Sequence, residues 1–199
     1  KCLLSLVFRN SGEDGITEEE LVGMVDQAEN EGGLDQHESD LIRNAIEFND
    51  LEVSEILTPR VDLVAVEDDA TMEEAASLFV ESGYSRLPIY HDSIDNIIGV
   101  IHEKDFYAAR YRGETDLTNL KAPVLYTTGN TKISELLRIL QKNKAHMAVV
   151  VDEYGGTEGI ATLEDIVEEL VGEIWDEHDE VIETFQKQPD GSYLIACSA

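Results

Sequence analysis

The chain has 199 residues, of which 14 are lysine or arginine and 43 are aspartate or glutamate, so its formal net charge is -29 at pH 7. This length is sufficient for one sizeable domain or two small ones with a buried core. Such an acidic chain repels phosphate, which argues against nucleic acid and an anionic membrane surface as partners. The acidity fits a solvated, self-repelling surface, and attraction of divalent cations or basic partners is the open alternative.

The two ends of the chain indicate a cytosolic fragment of a longer protein. Cys2 and Cys197 stand far apart in the sequence, which predicts neither a disulfide framework nor a zinc site and is typical of a reducing compartment. The apolar run at residues 3–8 is too short for a transmembrane helix, which needs about 20 residues. No initiator methionine is present and the flanks do not resemble a secretory signal.

The first part of the chain is predicted to be helical. Thr17 and Glu20 form a capping-box pattern at the start of one helix, which is expected to end at the Gly32–Gly33 pair. A second helix is expected over residues 36–48, and residues 51–57 lead to a sharp stop at a Thr-Pro-Arg sequence. The apolar face expected for the second helix consists of Leu41, Ile42, Ala45 and Ile46.

After this helical lead-in, the same order of strands and helices is predicted twice. The first set is a strand, a helix, two strands and a helix, expected at residues 61–66, 71–82, 87–90, 96–101 and from 103. The second set is expected at residues 124–126, 132–142, 147–151 and 157–162, followed by a helix. Each set is a β-α-β-β-α unit, so the predicted fold class is α/β with two repeats.

The two repeats align with a shift of 60 residues, and their first helices align better with a shift of 61. The matched pairs are Ile89 with Val149, Asp92 with Asp152, Gly99 with Gly159, Val100 with Ile160, and Asp105 with Asp165. Each unit is too small to bury its sheet alone, so we expect the two to pack across a pseudo-twofold axis. Packing of this kind leaves clefts between the repeats, where small ligands bind.

The sequence GIATLEDIVEELVGEI places Thr162 and Asp165 three residues apart where a strand gives way to a helix. The hydroxyl can cap the helix, and a carboxylate in the first turn is favoured by the helix dipole. The same two groups can instead take the hydroxyls of a ribose in a cleft beyond the strand end. Both interpretations are open from spacing alone.

The helix that follows is predicted to be amphipathic. Its buried stripe is expected to comprise Leu163, Ile166, Val167, Leu170, Val171 and Ile174. The opposite face is expected to be a solvated surface or a cation site, formed by Glu164, Glu168, Glu169 and Glu173. Further on, an acidic run at residues 176–183, a Pro-Asp-Gly turn at residues 189–191 and a β-like run at residues 192–196 predict a hairpin that starts another domain.

The repeat pattern, with Gly159, Ile160, Thr162 and Asp165 as its motif, resembles the cystathionine β-synthase (CBS) domain. Tandem copies resemble a CBS pair, also called a Bateman module. The runs ILTPRVDLVAV, GYSRLPIY and HMAVVVDEYGGTEGIATLEDIVEELVGEIWDEHDE are similar to the cytosolic part of the CorC / hemolysin C / cyclin M family of magnesium-transport-associated proteins. The likeness covers residues 34–185. It implies a helical lead-in at 1–57 after a membrane domain, CBS repeats at 58–120 and 121–178, and a linker with a truncated C-terminal domain at 179–199.

The resemblance implies a regulatory module, with no catalytic residues, on the cytoplasmic face of the cell membrane. An adenine nucleotide, ATP with Mg²⁺ or else AMP or ADP, would bind between the repeats and regulate Mg²⁺ or Co²⁺ transport by the attached membrane domain. Mg²⁺ would be held through the phosphates, and CBS pairs would associate as a homodimer. The implied nucleotide-binding residues are Thr58, Ser85, Arg86, Pro88, Ile160, Thr162 and Asp165, with Thr162 and Asp165 on the ribose and Arg86 on phosphate.

The first repeat departs from the ribose pattern. His102 stands where the second repeat has Thr162, although Asp105 is present. An imidazole is bulkier than a hydroxyl and changes its donor and acceptor roles with its tautomer. We therefore expect one occupied cleft and not an equivalent second site at His102 and Asp105.

Two other classes of function are alternatives to nucleotide binding. An enzyme lacks support, because the chain contains no GxxxxGK[ST], HExxH or GxSxG motif and residues 155–159 (GGTEG) are expected to form a turn between strands. A ligand-free dimerisation or protein-interaction module does not require Thr58, Thr162 and Asp165 together. Direct Mg²⁺ sensing by the acidic residues 168–180 is compatible with nucleotide binding.

Overall fold

The computed structural model describes residues 17–172, 185–187 and 193–195. The helices are α1 (Glu18–Asn30), α2 (Gln36–Glu47), α3 (Val53–Ile56), α4 (Met72–Ser82), α5 (Glu103–Arg112), α6 (Ile133–Asn143) and α7 (Leu163–Val171). The strands are β1 (Thr58–Pro59), β2 (Val66–Glu67), β3 (Arg86–His91), β4 (Ser93–His102), β5 (Leu125–Thr128), β6 (Met147–Val151), β7 (Thr157–Thr162), β8 (Phe185–Lys187) and β9 (Tyr193–Ile195). Strands β8 and β9 pair antiparallel. The apolar run 3–8, the acidic run 176–183 and the turn 189–191 lie outside the described residues.

The helical lead-in is confirmed. Glu20 N donates to Thr17 Oγ1 at 3.2 Å and Thr17 N donates to Glu20 Oε2 at 3.1 Å, which is the predicted capping box. The apolar face predicted for α2 is wrong in part, since Ile42 and Ala45 are exposed. The helix instead buries Ser39 and, just beyond its end, Phe48, because α2 contacts α1 on one side and α7 on another.

The strands form two main sheets, one for each repeat. The first has the order β2-β3-β4 and the second has the order β1-β7-β6-β5. Strand β1 stands at the start of the first repeat in sequence but pairs antiparallel with β7 of the second. The prediction of one strand over residues 61–66 is wrong. A short 3-10 helix at Arg60–Asp62 turns the chain from the second sheet to the first. In the first sheet, only Val66–Glu67 of this stretch pairs with a neighbouring strand.

Each repeat has its own core and a third cluster joins them. Phe79, Leu87, Ile89 and Phe106 are buried in the first repeat, and Ile133, Leu136, Val150 and Ile166 in the second. The joining cluster consists of Ile97, Val100, Met147, Val149 and Ile160.

The alignment of the first hairpin strands differs by one residue from the prediction. Ile89 lies in its repeat's own core, as Val150 does, whereas Val149 faces the other repeat. Strand β3 therefore matches β6 at a shift of 61, and the pairing of Ile89 with Val149 is wrong. Register irregularities in the β3–β4 hairpin after Ile89 accommodate the extra residue, so that Gly99 and Gly159 still correspond.

No helix in residues 17–172 has both the length and the apolar composition required to cross a bilayer.

The close approach of β1 to β7 gives a first prediction. A Cβ at Gly159 would overlap the Thr58 carbonyl oxygen and crowd Leu57, whereas a Cβ at Gly23 in α1 would meet nothing within 4 Å. We expect Gly159→Ala to lower the free energy of unfolding by about 1 to 3 kcal/mol. The control Gly23→Ala should raise it by about 0.5 to 1 kcal/mol. Urea unfolding of both variants measures this, and equal stabilities would contradict the tight β1–β7 contact.

Candidate functional site

A cleft of about 420 Å³ lies where the two repeats meet, beyond the end of β7. This volume is within the range of small-molecule sites. All seven residues predicted for nucleotide binding line it: Thr58, Ser85, Arg86, Pro88, Ile160, Thr162 and Asp165. They come from both repeats, so the fold brings together residues that are more than 100 positions apart in the sequence.

The strand β1 forms one wall of the cleft. Thr58 is opposite Ile160 and Pro59 is opposite Gly159 in the β1–β7 pairing. Because Gly159 has no side chain, the backbone of β1 can lie directly against β7. Thr58 is therefore held beside the apolar Ile160, which is 8% exposed.

Thr162 and Asp165 form a capping box at the start of α7. Asp165 N donates to Thr162 Oγ1 at 3.2 Å, and Thr162 N donates to Asp165 Oδ2 at 2.8 Å. The Thr162 hydroxyl accepts in this arrangement, so its own proton can still be donated to a ligand. The Asp165 bond uses Oδ2, and among the described residues Oδ1 has no hydrogen-bond partner. Capping and ligand binding are thus compatible, and the cap holds both side chains in place.

Arg86 begins strand β3 on the other side of the cleft. Its Nε is buried and has no hydrogen-bond partner within the described part of the chain. A buried donor without a partner costs about 1 to 3 kcal/mol, and more when the group is charged. The first residue of β3 therefore offers a cationic donor that an anion in the cleft would satisfy.

Ser85 and Pro88 flank Arg86. The Ser85 carbonyl accepts a hydrogen bond from Glu103 N at 3.0 Å, which ties the start of β3 to the start of α5. Pro88 is buried and opposite Val100. Both positions fix the backbone around Arg86.

Sequence reasoning missed several residues of the cleft, above all His146. The missed lining residues are Asp62, Leu63, Val64, Gly83, Tyr84, His146, Met147 and Glu164. His146 Nδ1 lies 3.8 Å from Glu164 Oε1, and the two side chains are 44% and 65% exposed. One signal in the sequence could have identified His146. This residue immediately precedes β6, and at the shift of 61 residues it corresponds to Ser85, which was predicted as a site residue.

The corresponding positions of the first repeat are not part of this cleft. His102 precedes α5 without a side-chain capping bond, and Asp105 is exposed. Ala122 forms a bridge with Val100, just as Thr58 pairs with Ile160. The equivalent place therefore has alanine and histidine where the cleft has two threonines.

The model for the CBS domain matches residues 53–112 and 116–172. The chain belongs to the CBS-domain family. It is a CBS pair, and its mixed α/β fold of two repeats behind a helical lead-in is confirmed. A CBS-domain structure of a bacterial CNNM/CorC family Mg²⁺ transporter matches with 40% identity and a TM-score of 0.73, covering 81% of this chain and all of that one.

A second structure, of the CBS domain of the bacterial CNNM/CorC family Mg²⁺ transporter in complex with ATP, has 42% identity, a TM-score of 0.65, and covers 69% of this chain and 99% of that one. Hemolysin C of Brachyspira hyodysenteriae is 36% identical over 166 residues, which are 83% of this chain. The resemblance to the CorC and hemolysin C proteins is therefore confirmed. The chain spans 62% of Hemolysin C and 27% of two DUF21 domain-containing proteins of Arabidopsis thaliana.

The capping box gives a second prediction, which concerns the CBS pair without ligand. Thr71 caps α4 in the same way as Thr162 caps α7, with Glu74 N donating to Thr71 Oγ1 at 3.2 Å. We expect Thr162→Ala and Thr71→Ala each to lower the free energy of unfolding by about 1 kcal/mol. Thermal unfolding in the absence of nucleotide tests this. Full stability in Thr162→Ala would show that its hydroxyl does not cap α7.

Proposed function

We propose that this CBS pair binds an adenine nucleotide in the cleft, with Mg-ATP as the preferred form, and thereby regulates divalent-cation transport by a membrane domain of the same protein. The observation that carries the proposal is the convergence of the predicted residues on one cleft beside the unpartnered Arg86 Nε. The ATP complex of the related CBS domain supports it. A CBS domain with AMP bound, 25% identical and with a TM-score of 0.53, gives further support for an adenine nucleotide.

Each part of the nucleotide has a fitting group. Asp165 Oδ1 accepts from a ribose hydroxyl and the Thr162 hydroxyl donates to a ribose oxygen. Ile160, Pro88 and Leu63 offer apolar surface for the base. Arg86 donates to a phosphate, and the pairing of guanidinium with phosphate is charge-assisted.

Magnesium contributes by reducing charge repulsion. The cleft has three lining carboxylates, Asp62, Glu164 and Asp165, within a chain of formal net charge -29. A polyphosphate that approaches them is repelled, and a bound Mg²⁺ removes much of its charge. Among the described residues, no group of three or more acidic, histidine or cysteine side chains is placed to hold a metal ion by itself.

The transport role, the cytoplasmic location and the homodimer belong to this proposal too. The related structures come from CNNM/CorC family Mg²⁺ transporters. The chain spans only part of the length of its relatives. Nucleotide binding would regulate transport if the nucleotide binds one conformation of the CBS pair more tightly than another.

The test is calorimetric titration of ATP, with and without Mg²⁺, into the wild type, Asp165→Asn and Thr71→Ala. Asparagine keeps the size of the side chain and an oxygen for the cap but loses the charged acceptor. We expect Asp165→Asn to weaken binding about 10- to 100-fold, because a hydrogen bond to a charged group contributes about 1.5 to 3 kcal/mol. Thr71→Ala should bind like the wild type, and removal of Mg²⁺ with EDTA should weaken binding.

Absence of binding in the wild type would favour the ligand-free interaction module. Unchanged affinity in Asp165→Asn would show that the carboxylate is a helix cap alone. Binding that EDTA leaves unchanged would remove Mg²⁺ from the proposal while keeping the nucleotide. Sedimentation of the wild type with and without ATP measures the expected homodimer separately.

A further inference from the structure

We propose that His146 makes nucleotide binding in this cleft depend on pH, because its protonated imidazole contacts the phosphate chain. The inference rests on the proposed function and deepens it, since it adds proton concentration to the signals that the CBS pair detects. His146 is placed in the cleft by the structure alone, for no motif in the sequence pointed to it.

The position of His146 fits contact with a ligand. The residue lies between the end of α6 and the start of β6, and its carbonyl accepts a hydrogen bond from Leu163 N at 2.8 Å. That bond fixes the His146 backbone against the first residue of α7, next to the capping box that presents Thr162 and Asp165. The imidazole itself is 44% exposed, so it is accessible to both protons and ligand.

The charges around His146 make its protonation state matter. Among the residues that line the cleft, Arg86 is the one permanent cation. The charged or titratable groups that line the cleft with His146 are Glu164 and Asp165 on α7, Asp62 on the 3-10 helix, and Tyr84 and Arg86 at the start of β3. Lys144, the C-cap residue of α6, stands two positions before His146 in the chain. A protonated His146 therefore adds a second lining cation to a cleft that holds three carboxylates.

A histidine changes charge within the physiological pH range, with an ordinary pKa of about 6.5. Its charged form attracts phosphate, and a partly exposed ion pair contributes a modest factor to affinity. We expect protonation of His146 to raise nucleotide affinity about twofold to fivefold.

The experiment compares nucleotide affinity at about pH 6 and about pH 8 in the wild type, His146→Gln and His91→Gln. His91 is a matched control because it lies in the β3–β4 hairpin away from the cleft, where its Nδ1 is 2.9 Å from Asp68 Oδ2. That contact with Asp68 raises the pKa of His91. The phosphates of ATP titrate too, but equally for each variant, so the ratio of dissociation constants isolates the histidine.

We expect the wild type to bind about twofold to fivefold more tightly than His146→Gln at the lower pH and about equally at the higher pH. His91→Gln should follow the wild type at both values. Adenosine, which has no phosphates, should show no difference between the wild type and His146→Gln.

Three results would overturn the inference. One is the same pH dependence in His146→Gln as in the wild type. Another is an equal loss of affinity at both pH values, which would indicate a packing role, and a third is the same effect with adenosine. In each of these cases ATP still binds, so the proposed function survives; failure of the wild type to bind ATP at either pH overturns both.

Discussion

The pairing of β1 with β7 is the interaction on which the rest of the cleft depends. Thr58 and Pro59 open the first repeat in the chain, but they join the sheet of the second repeat. The pairing of β1 with β7 joins the two repeats in a fixed register, because backbone hydrogen bonds at a sheet edge require one. It is possible because Gly159 has no side chain to separate the strands.

The pairing of β1 with β7 also determines which of the two pseudo-symmetric positions has the hydroxyl and carboxylate groups suited to a ribose. The opening segment of the first repeat brings Thr58 beside Ile160 and the capping box of α7. The opening segment of the second repeat brings Ala122 beside Val100. His102 and α5 follow Val100 in the chain. The backbone geometry is repeated, but the hydroxyl groups are not. The symmetry of the fold thus leaves one position with both threonines.

Much of this arrangement could be predicted from the sequence, because its elements have strong local signals. The helix of the motif and its capping box follow from the Thr162–Asp165 spacing, and the order of elements follows from hydrophobic periodicity. The 3-10 helix at Arg60–Asp62 could not be predicted, since the apolar residues around it also suit a strand. His146 was missed for a related reason: its place in the cleft depends on the hydrogen bond from Leu163 N of α7 to its carbonyl, a tertiary contact that no local pattern encodes.

The helix α7 connects the cleft to the lead-in helices. Its first turn carries Thr162 and Asp165, and near its other end the Leu170 carbonyl lies 3.5 Å from Asn44 Nδ2 of α2. Phe48, just beyond α2, is buried in the same core as Ile166 of α7. Packed cores are not continuously deformable, so a displacement of α7 by a ligand must be shared with α2 or resisted by it. The proposed nucleotide binding, at one end of a single short helix, would therefore have a direct physical route to the segment that precedes the CBS pair.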